Sequence, residues 1–419
     1  MVRRLLPASA APDVRRVVAG RGVRGFADGF VSVLLAQYLS GLGYSPTQVG
    51  AVVTGTLVGS AALTLALGVG GRRIPLRTLL LAACALMAAT GLGFLAVTWF
   101  WPLLAIAAVG TLNPTGGDVS VFLPTEQAFV AGHVAAADRP RLYAVYNVAG
   151  TLAGAFGALA SGTPEVLAHR YGWDVTTAQR SVFALYALAA IVILALYRRL
   201  GRDDEPADGG PEGGAGRAPA PGTKALGASR RIVLELAALF SLDSAGSGFV
   251  GTSLLVLWLR LRFDLSGASM ASVFFAAGLL GAGSQFLAPR LADRIGLVRT
   301  MAFTHLPANA LLALAAFAPR APVAIGLLLV RALFAQMDVP ARQSFVMAVV
   351  PAEDRAAASS VTNVPRSLAA ATTPLLAGLL LRHSTFGWPL LIAGLVKMTY
   401  DLALLALYRN VPEEEGAHR

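Results

Sequence analysis

The sequence predicts an all-α membrane protein of twelve transmembrane helices, built as two six-helix bundles related by a pseudo-twofold axis. Three observations predict it: 56% hydrophobic against 14% charged residues, a series of long apolar runs, and an internal repeat. A soluble domain carries about 25% charged residues, so this chain lacks the polar surface to face water on all sides. Its mean hydropathy of +0.64 agrees. The net charge of +11 does not suggest nucleic-acid binding, because the cations sit at the ends of apolar runs rather than on one soluble face.

The apolar runs cover residues 20–42, 46–69, 78–98, 101–131, 142–163 and 177–198, then 231–259, 268–289, 300–319, 322–348, 356–381 and 387–408. Most reach the roughly 20 residues that a helix needs to cross the hydrocarbon core. They are continuous rather than alternating, which favours helices over barrel strands. Lys and Arg are concentrated in the segments that share a side with the N-terminus, so both termini are expected in the cytoplasm, in a bacterial-type inner membrane. The apolar run after Met1-Val2-Arg3-Arg4 is short and broken by Pro7 and Pro12, and no cleaved signal peptide is expected. Residues 199–229, rich in Gly, Pro and acids, read as a flexible cytoplasmic linker between an N-terminal bundle, 1–198, and a C-terminal bundle, 230–419.

The halves repeat. At an offset of 219, Gly29-Phe30-Val31 matches Gly248-Phe249-Val250, and Tyr44 falls opposite Phe263. At an offset of 216, Pro124, Gln127, Phe129 and Val130 match Pro340, Gln343, Phe345 and Val346. Asp138-Arg139 likewise matches Asp354-Arg355, Asn147-Val148 matches Asn363-Val364, and Gly162 matches Gly378. Parallel repeats of this kind are a mark of transporter folds. With Leu291-Ala292-Asp293-Arg294-Ile295-Gly296-Leu297-Val298-Arg299-Thr300, which looks like the Gly-x-x-x-Asp-Arg-x-Gly-x-Arg loop signature, the chain resembles the major facilitator superfamily of secondary transporters. The first-half counterpart, Gly71-Arg72-Arg73-Ile74-Pro75-Leu76-Arg77, has no aspartate. The resemblance implies a cytoplasmic gate and loop region containing Arg72, Arg73, Arg77, Asp138, Arg139, Asp293, Arg294, Gly296, Arg299, Asp354 and Arg355. At such a loop an aspartate is expected to bond free helix-end amides while glycine makes the tight turn.

Ionised groups at membrane depth cost roughly 3 kcal/mol or more, so each asks for a partner or a wet cavity. Arg24 and Asp28 fall in the first span, Asp118 and Glu126 in the fourth, Asp243 in the seventh, Asp338 and Arg342 in the tenth, Arg366 in the eleventh, Lys397 and Asp401 in the twelfth. The resemblance implies that spans one, four, seven and ten line a central cavity, and most of these groups fall there. With Asn113, Gln127 and Gln343 they form the expected substrate and proton cavity. The offsets place Arg24 opposite Asp243 and Glu126 opposite Arg342 with reversed charge. Inter-lobe ion pairs are therefore expected, with Glu126–Arg342 closing the inward gate; the competing reading is that Asp338–Arg342 and Lys397–Asp401, each four apart, neutralise one another. Asn113-Pro114-Thr115-Gly116-Gly117-Asp118 should break or kink span four near its middle. Asn147, Asn363, Gly150 and Gly154 read as helix-packing positions. The glycines are similar only in part to the glycine-rich fifth helix of drug–proton antiporters, whose Gly-Pro step is missing here.

Enzyme signals are poor. Gly20-Arg21-Gly22-Val23-Arg24-Gly25 fits a dinucleotide pattern without a surrounding βαβ unit, and the five histidines fall mostly near loops or termini. Cys84 alone makes no disulfide or multi-cysteine metal site. No cofactor or metal is expected, and no phosphate loop for ATP-driven transport is present. The sequence thus reads as a monomeric, proton-coupled transporter of a small organic molecule working by alternating access. The carboxyls favour efflux of a hydrophobic or cationic compound; Arg24, Arg342 and Arg366 would serve an organic anion or an uptake system. A membrane sensor or scaffold on the same fold is the reading of another class, and an intramembrane enzyme stands third.

Overall fold

The computed structural model describes residues 11–70, 74–115, 122–134, 138–201, 230–285, 287–349 and 355–409, and these contain seventeen α-helices and no strand. The helices run as twelve passes. The first lobe holds α1 (Pro12–Gly41), α2 (Pro46–Gly70), α3 (Leu76–Ala96), a fourth pass split into α4 (Phe100–Val109) and α5 (Phe122–Gly132), a fifth made of α6 (Arg139–Ala160) and α7 (Thr163–Tyr171), and α8 (Val175–Tyr197). The second holds a seventh pass split into α9 (Arg230–Phe249) and α10 (Thr252–Phe263), α11 (Gly267–Gln285), the short connecting α12 (Ala288–Ile295), α13 (Leu297–Ala315), a tenth pass split into α14 (Ala321–Phe334) and α15 (Asp338–Val349), α16 (Arg355–His383) and α17 (Trp388–Tyr408).

Three of the expected spans are interrupted, and each interruption has a local cause. Between α4 and α5 the chain leaves the helix at Gly110, and Pro114 can donate no amide to re-form it. Between α9 and α10 the chain turns at Val250 and Gly251. Between α14 and α15 Pro340 lacks the N–H that would bond the carbonyl of Gln336. Eight helical stretches among the described residues are long and apolar enough to cross a bilayer unaided. The first and ninth passes fall short because of their charged and polar residues, and the fourth and tenth because they come in pieces. A split pass needs packing by its neighbours to hold its backbone groups at depth.

The repeat governs the packing. α1 lies along α6 as α9 lies along α16, and α3 lies along α8 as α13 lies along α17. Small residues set the closest approach: a Cβ on Gly29 would stand 2.0 Å from the Gly154 carbonyl oxygen, and one on Gly157 2.0 Å from that of Phe26. Without a hydrophobic force between helices in lipid, such backbone contact is what holds a lobe together. Outward-facing Leu92, Leu185, Leu188, Leu402 and Leu407 form an apolar perimeter. Trp99, Trp101, Trp173 and Trp388 are exposed at the end away from the chain termini, the far end, as an aromatic belt at a bilayer interface requires.

Hydrogen bonds between lobes, among the described residues, lie in the far half. Ser253 Oγ donates to Ser32 O at 2.7 Å, and the Leu375 amide donates to Thr54 Oγ1 at 3.0 Å. Gly50 and Gly378 bring α2 onto α16, and Gly278 lies against Ala155 between α11 and α6.

At the far end Asp174 caps α8, accepting from the Thr177 amide at 2.7 Å and its hydroxyl at 2.8 Å. The Thr177 amide, and then its hydroxyl, hold this exposed carboxyl below the usual carboxylate range. A depressed folded pKa means the cap is fully present above the unfolded value and is lost only as pH falls through the folded one.

Gly29→Ala is expected to lower the melting temperature of the solubilised protein through overpacking on the order of 1–3 kcal/mol. Gly22→Ala, whose Cβ meets nothing within 4 Å, should leave it unchanged. Equal melting of the two variants would contradict the backbone contact.

Candidate functional site

Each lobe holds a buried polar cluster, and the two differ in kind. In the first lobe α1 supplies Arg24 and Asp28, α5 supplies Glu126, and α6 and α8 supply Tyr146 and Tyr197. Arg24 Nη2 donates to Glu126 Oε2 at 2.7 Å and to Tyr146 OH at 3.2 Å. Tyr197 OH donates to Glu126 Oε1 at 2.6 Å, and Tyr146 OH donates to Oε2. Asp28 stands one turn further along, 3.9 Å from Arg24 Nη1, and the guanidinium lies 4.9 Å over the Phe122 ring. Glu126 is wholly buried and Arg24 is 1% exposed. This is a closed, fully occupied knot that ties four helices together.

In the second lobe Asp243 on α9 is the centre. Lys397 Nζ on α17 reaches its Oδ1 at 2.5 Å and Ser247 Oγ at 2.8 Å, while Arg342 Nη1 on α15 reaches its Oδ2 at 3.3 Å and Asp338 at 3.6 Å. Behind this group His305 on α13 meets Asp401 through Nδ1 at 2.8 Å and stands 3.9 Å from Asp243 Oδ1 through Nε2. Asn309 Nδ2 donates to the other Asp401 oxygen at 2.8 Å. Asn309 Nδ2 also lies 3.2 Å from His305 Nδ1, so His305, Asn309 and Asp401 form one buried polar group. Arg366 on α16 bonds Ser244 Oγ at 3.3 Å and Asn363 Oδ1 at 3.4 Å.

Several expectations change. Glu126 and Arg342 do not meet in this conformation; each pairs inside its own lobe, because the far half is the closed one and Arg24 and Asp243 are within reach. Arg24 and Asp243 likewise take partners from their own lobes. Lys397 and Asp401 do not neutralise each other, since Lys397 turns to Asp243 and Asp401 to His305. Asp338–Arg342 is a pair, with Asp243 as a second partner. His305, expected near a loop, is buried in mid-helix. Tyr146, Tyr197 and Asn309 were not anticipated; His305 and Asn309, four apart, share one helix face, a spacing readable in the sequence.

The interrupted fourth pass serves as a cap for the other lobe. Asn113 Oδ1 accepts from the Thr115 amide and hydroxyl, at 3.3 and 3.0 Å. The carbonyls of Pro114 and Thr115 accept from the amides of Ser253 and Thr252, at 3.0 and 3.4 Å, in the first turn of α10. Helix starts carry unbonded amides, and here carbonyls released by one broken helix satisfy those of another.

In the loop region Gly296 turns with φ +85° between α12 and α13. Asp293 and Arg294 are exposed, and the expected aspartate cap is not formed with any described residue; the turn rests on the glycine and its amide bond to Ala292 O at 2.9 Å. Arg77 donates to the Arg198 carbonyl at 2.8 Å, joining the start of α3 to the end of α8. Asp138 precedes α6, Arg299 is exposed on α13, and Gln127 is half-buried on α5. Asn147 and Gly150 lie on α6, where Arg21 packs against Gly150. Arg72, Arg73, Asp118 and Asp354 lie outside the described residues, as do 202–229 of the expected linker. For Arg139, Gln343 and Arg355 only the helical backbone is described. No cluster of metal-binding side chains occurs among the described residues.

Two lobes of repeated topology with buried charge on the first, fourth, seventh and tenth passes define a secondary-transporter fold. The model of the Major Facilitator Superfamily matches residues 17–330, and the chain belongs to that family. An uncharacterised membrane protein of Saccharomyces cerevisiae is 25% identical, with 96% of this chain and 95% of that protein aligned. Among solved structures, the inward-open xylose transporter XylE from E. coli superposes with a TM-score of 0.72 at 15% identity, covering 96% of this chain and 97% of that one. The human organic anion transporter MFSD10 superposes at 0.62 and 17% identity, covering 94% and 100%. These likenesses are of fold.

Replacing Glu126 by Leu should cost about 3–5 kcal/mol by removing the carboxylate 2.7 Å from buried Arg24. Exchanging the pair, Arg24→Glu with Glu126→Arg, should recover part of that loss, whereas Glu126→Arg with Arg342→Glu should not. Thermal melting of the three variants decides between pairing within and between lobes.

Proposed function

We propose that the protein is a proton-coupled secondary transporter that carries a small organic molecule by alternating access, as a monomer in a cytoplasmic membrane with both termini inside. The observation that carries this reading is the confinement of cross-lobe bonding to the far half, beside buried ionisable clusters in both lobes. With the near end taken as cytoplasmic, the conformation is inward-facing. Opening the far side must break the bonds from Thr252 and Ser253 to Pro114, Thr115 and Ser32. Carriage of a proton is assigned to the second lobe, where protonated His305 would donate to Asp401 and Asp243 at once. It would then compete with Lys397 and Arg342 for Asp243, against Asp338, Arg331 and Tyr400 as the remaining charged or titratable neighbours. Preference for efflux rested on carboxyls free to shuttle. Glu126, Asp243 and Asp338 are all held by cations, so that support is gone and flux must set the direction.

In a background with buried Cys84 replaced by Ala, a Thr115→Cys plus Thr252→Cys pair should cross-link and stop transport in proteoliposomes, with recovery on reduction. Full transport through the cross-linked protein would refute alternating access at this contact. His305→Gln, which cannot take a proton, should abolish the response of flux to an imposed proton gradient. An unchanged response would remove His305 from coupling.

A further inference from the structure

The described buried cluster of the first lobe sets Arg24 against two acids, Glu126 and Asp28, whereas that of the second is rich in cations. Around Asp243, Asp338 and Asp401 stand Lys397 and three arginines, Arg342, Arg366 and Arg331, the last within electrostatic reach of Asp243. Leaving His305 out of the count, that is four cations to three carboxylates among the described residues. Two of the cations, Arg331 and Arg366, have no described carboxylate within 4.0 Å, and the Nε of Arg331 has no hydrogen-bond partner. Lys397 and Arg342 are taken up by Asp243, with Asp338 sharing Arg342, and Asp401 faces His305. Arg366 meets only the neutral oxygens of Ser244 and Asn363, and no carboxylate of a described residue lies within 4.0 Å of it.

Its setting is built rather than incidental. The guanidinium of Arg366 lies 5.7 Å from the centre of the Phe240 ring, and that of Arg342 lies 5.8 Å from the same ring. Phe240 is buried, and both arginines are half-buried. Arg366 sits near the middle of α16, on a pass that contacts both lobes through α9 and α2. An uncompensated guanidinium at membrane depth is costly, and two neutral acceptors do not replace a counter-charge. Its planar fork offers paired donors matched to a carboxylate. One negative charge would complete the balance, whereas a dianion would exceed it.

Building on the transporter reading, we propose that Arg366, held by Phe240, Ser244 and Asn363 with Arg342 alongside, binds the anionic group of the transported molecule, which is therefore a small organic monoanion of the carboxylate type. Arg24 has no part in it, because Glu126 and Tyr146 already engage that side chain. Arg366 is a binding residue, not a structural one: removing its charge relieves an unpaired cation instead of creating one.

The test uses the full-length protein in detergent and a series of small aliphatic and aromatic compounds, each as carboxylate, primary amide and amine. Carboxylates should raise the melting temperature by roughly 2–4 °C at about ten times Kd, and the matching amides and amines should not. Arg366→Gln should melt no lower than the parent without ligand and lose the carboxylate response, while Arg366→Lys should keep part of it. Carboxylates that stabilise no better than amides, or that act equally on Arg366→Gln, would overturn the assignment. Stabilisation by amines alone would overturn the substrate class and leave alternating access standing, since the Thr115–Thr252 cross-link tests that independently.

Discussion

An ionised side chain inside a bilayer must find a counter-charge, and the architecture of this chain follows from how its two lobes meet that demand. Arg24 cannot stand alone on α1, so α5 is drawn in through Glu126 and held there by tyrosines from α6 and α8. Asp243 cannot stand alone on α9, so α15 and α17 close on it through Arg342 and Lys397. In each case the pairing fixes helices that are themselves only part of a pass. The fragments α5 and α15 are too short to be placed by hydrophobicity, and the ion pairs place them.

Interrupted helices carry a second obligation, because the backbone groups they release also need partners at depth. The fourth and seventh passes meet it jointly, the carbonyls of Pro114 and Thr115 serving the first amides of α10. This couples two lobes without any side-chain charge. A contact made of a few backbone hydrogen bonds, each worth about 1 kcal/mol net, can be exchanged for water when that side opens. The glycine contacts within a lobe cannot be exchanged in this way, since they rest on steric fit along whole helices. The division between rigid lobe and separable interface is thus written in the kind of bond used.

Much of this was legible in the sequence. The offset repeat named the equivalent helices, and composition and charge placed the expensive residues on the first, fourth, seventh and tenth passes. The Asn113-Pro114 interruption was readable from proline chemistry. What could not be read was which charge meets which, because equivalence under a pseudo-twofold axis says where residues are related, not that they touch. Glu126 and Arg342 are related and belong to separate lobes; Arg24 and Glu126 are unrelated and bonded. Tyr146 and Tyr197 carry no spacing that points to Glu126, since they arrive from separate helices. His305 was passed over with the other histidines, which fall mostly near loops or termini, although Asn309 one turn on gave it a polar face.

The reversed polarity of the two pairs explains why the lobes diverge. A salt bridge between the first and fourth passes requires opposite charges but is indifferent to which helix holds which. In the first lobe the long side chain is on the first pass and the acid opposite is a glutamate, so two extended chains meet midway and seal the space between them. In the second lobe the acid is an aspartate, which keeps its charge close to the α9 backbone. Partners must then come to it, and they are long cations from α15 and α17, with His305 reaching in from α13. A short acid ringed by long bases gathers positive charge around one carboxylate, and that geometry leaves Arg366 beside a group already satisfied. The capacity to accept an outside anion is therefore a consequence of the same reversal that leaves the first lobe inert.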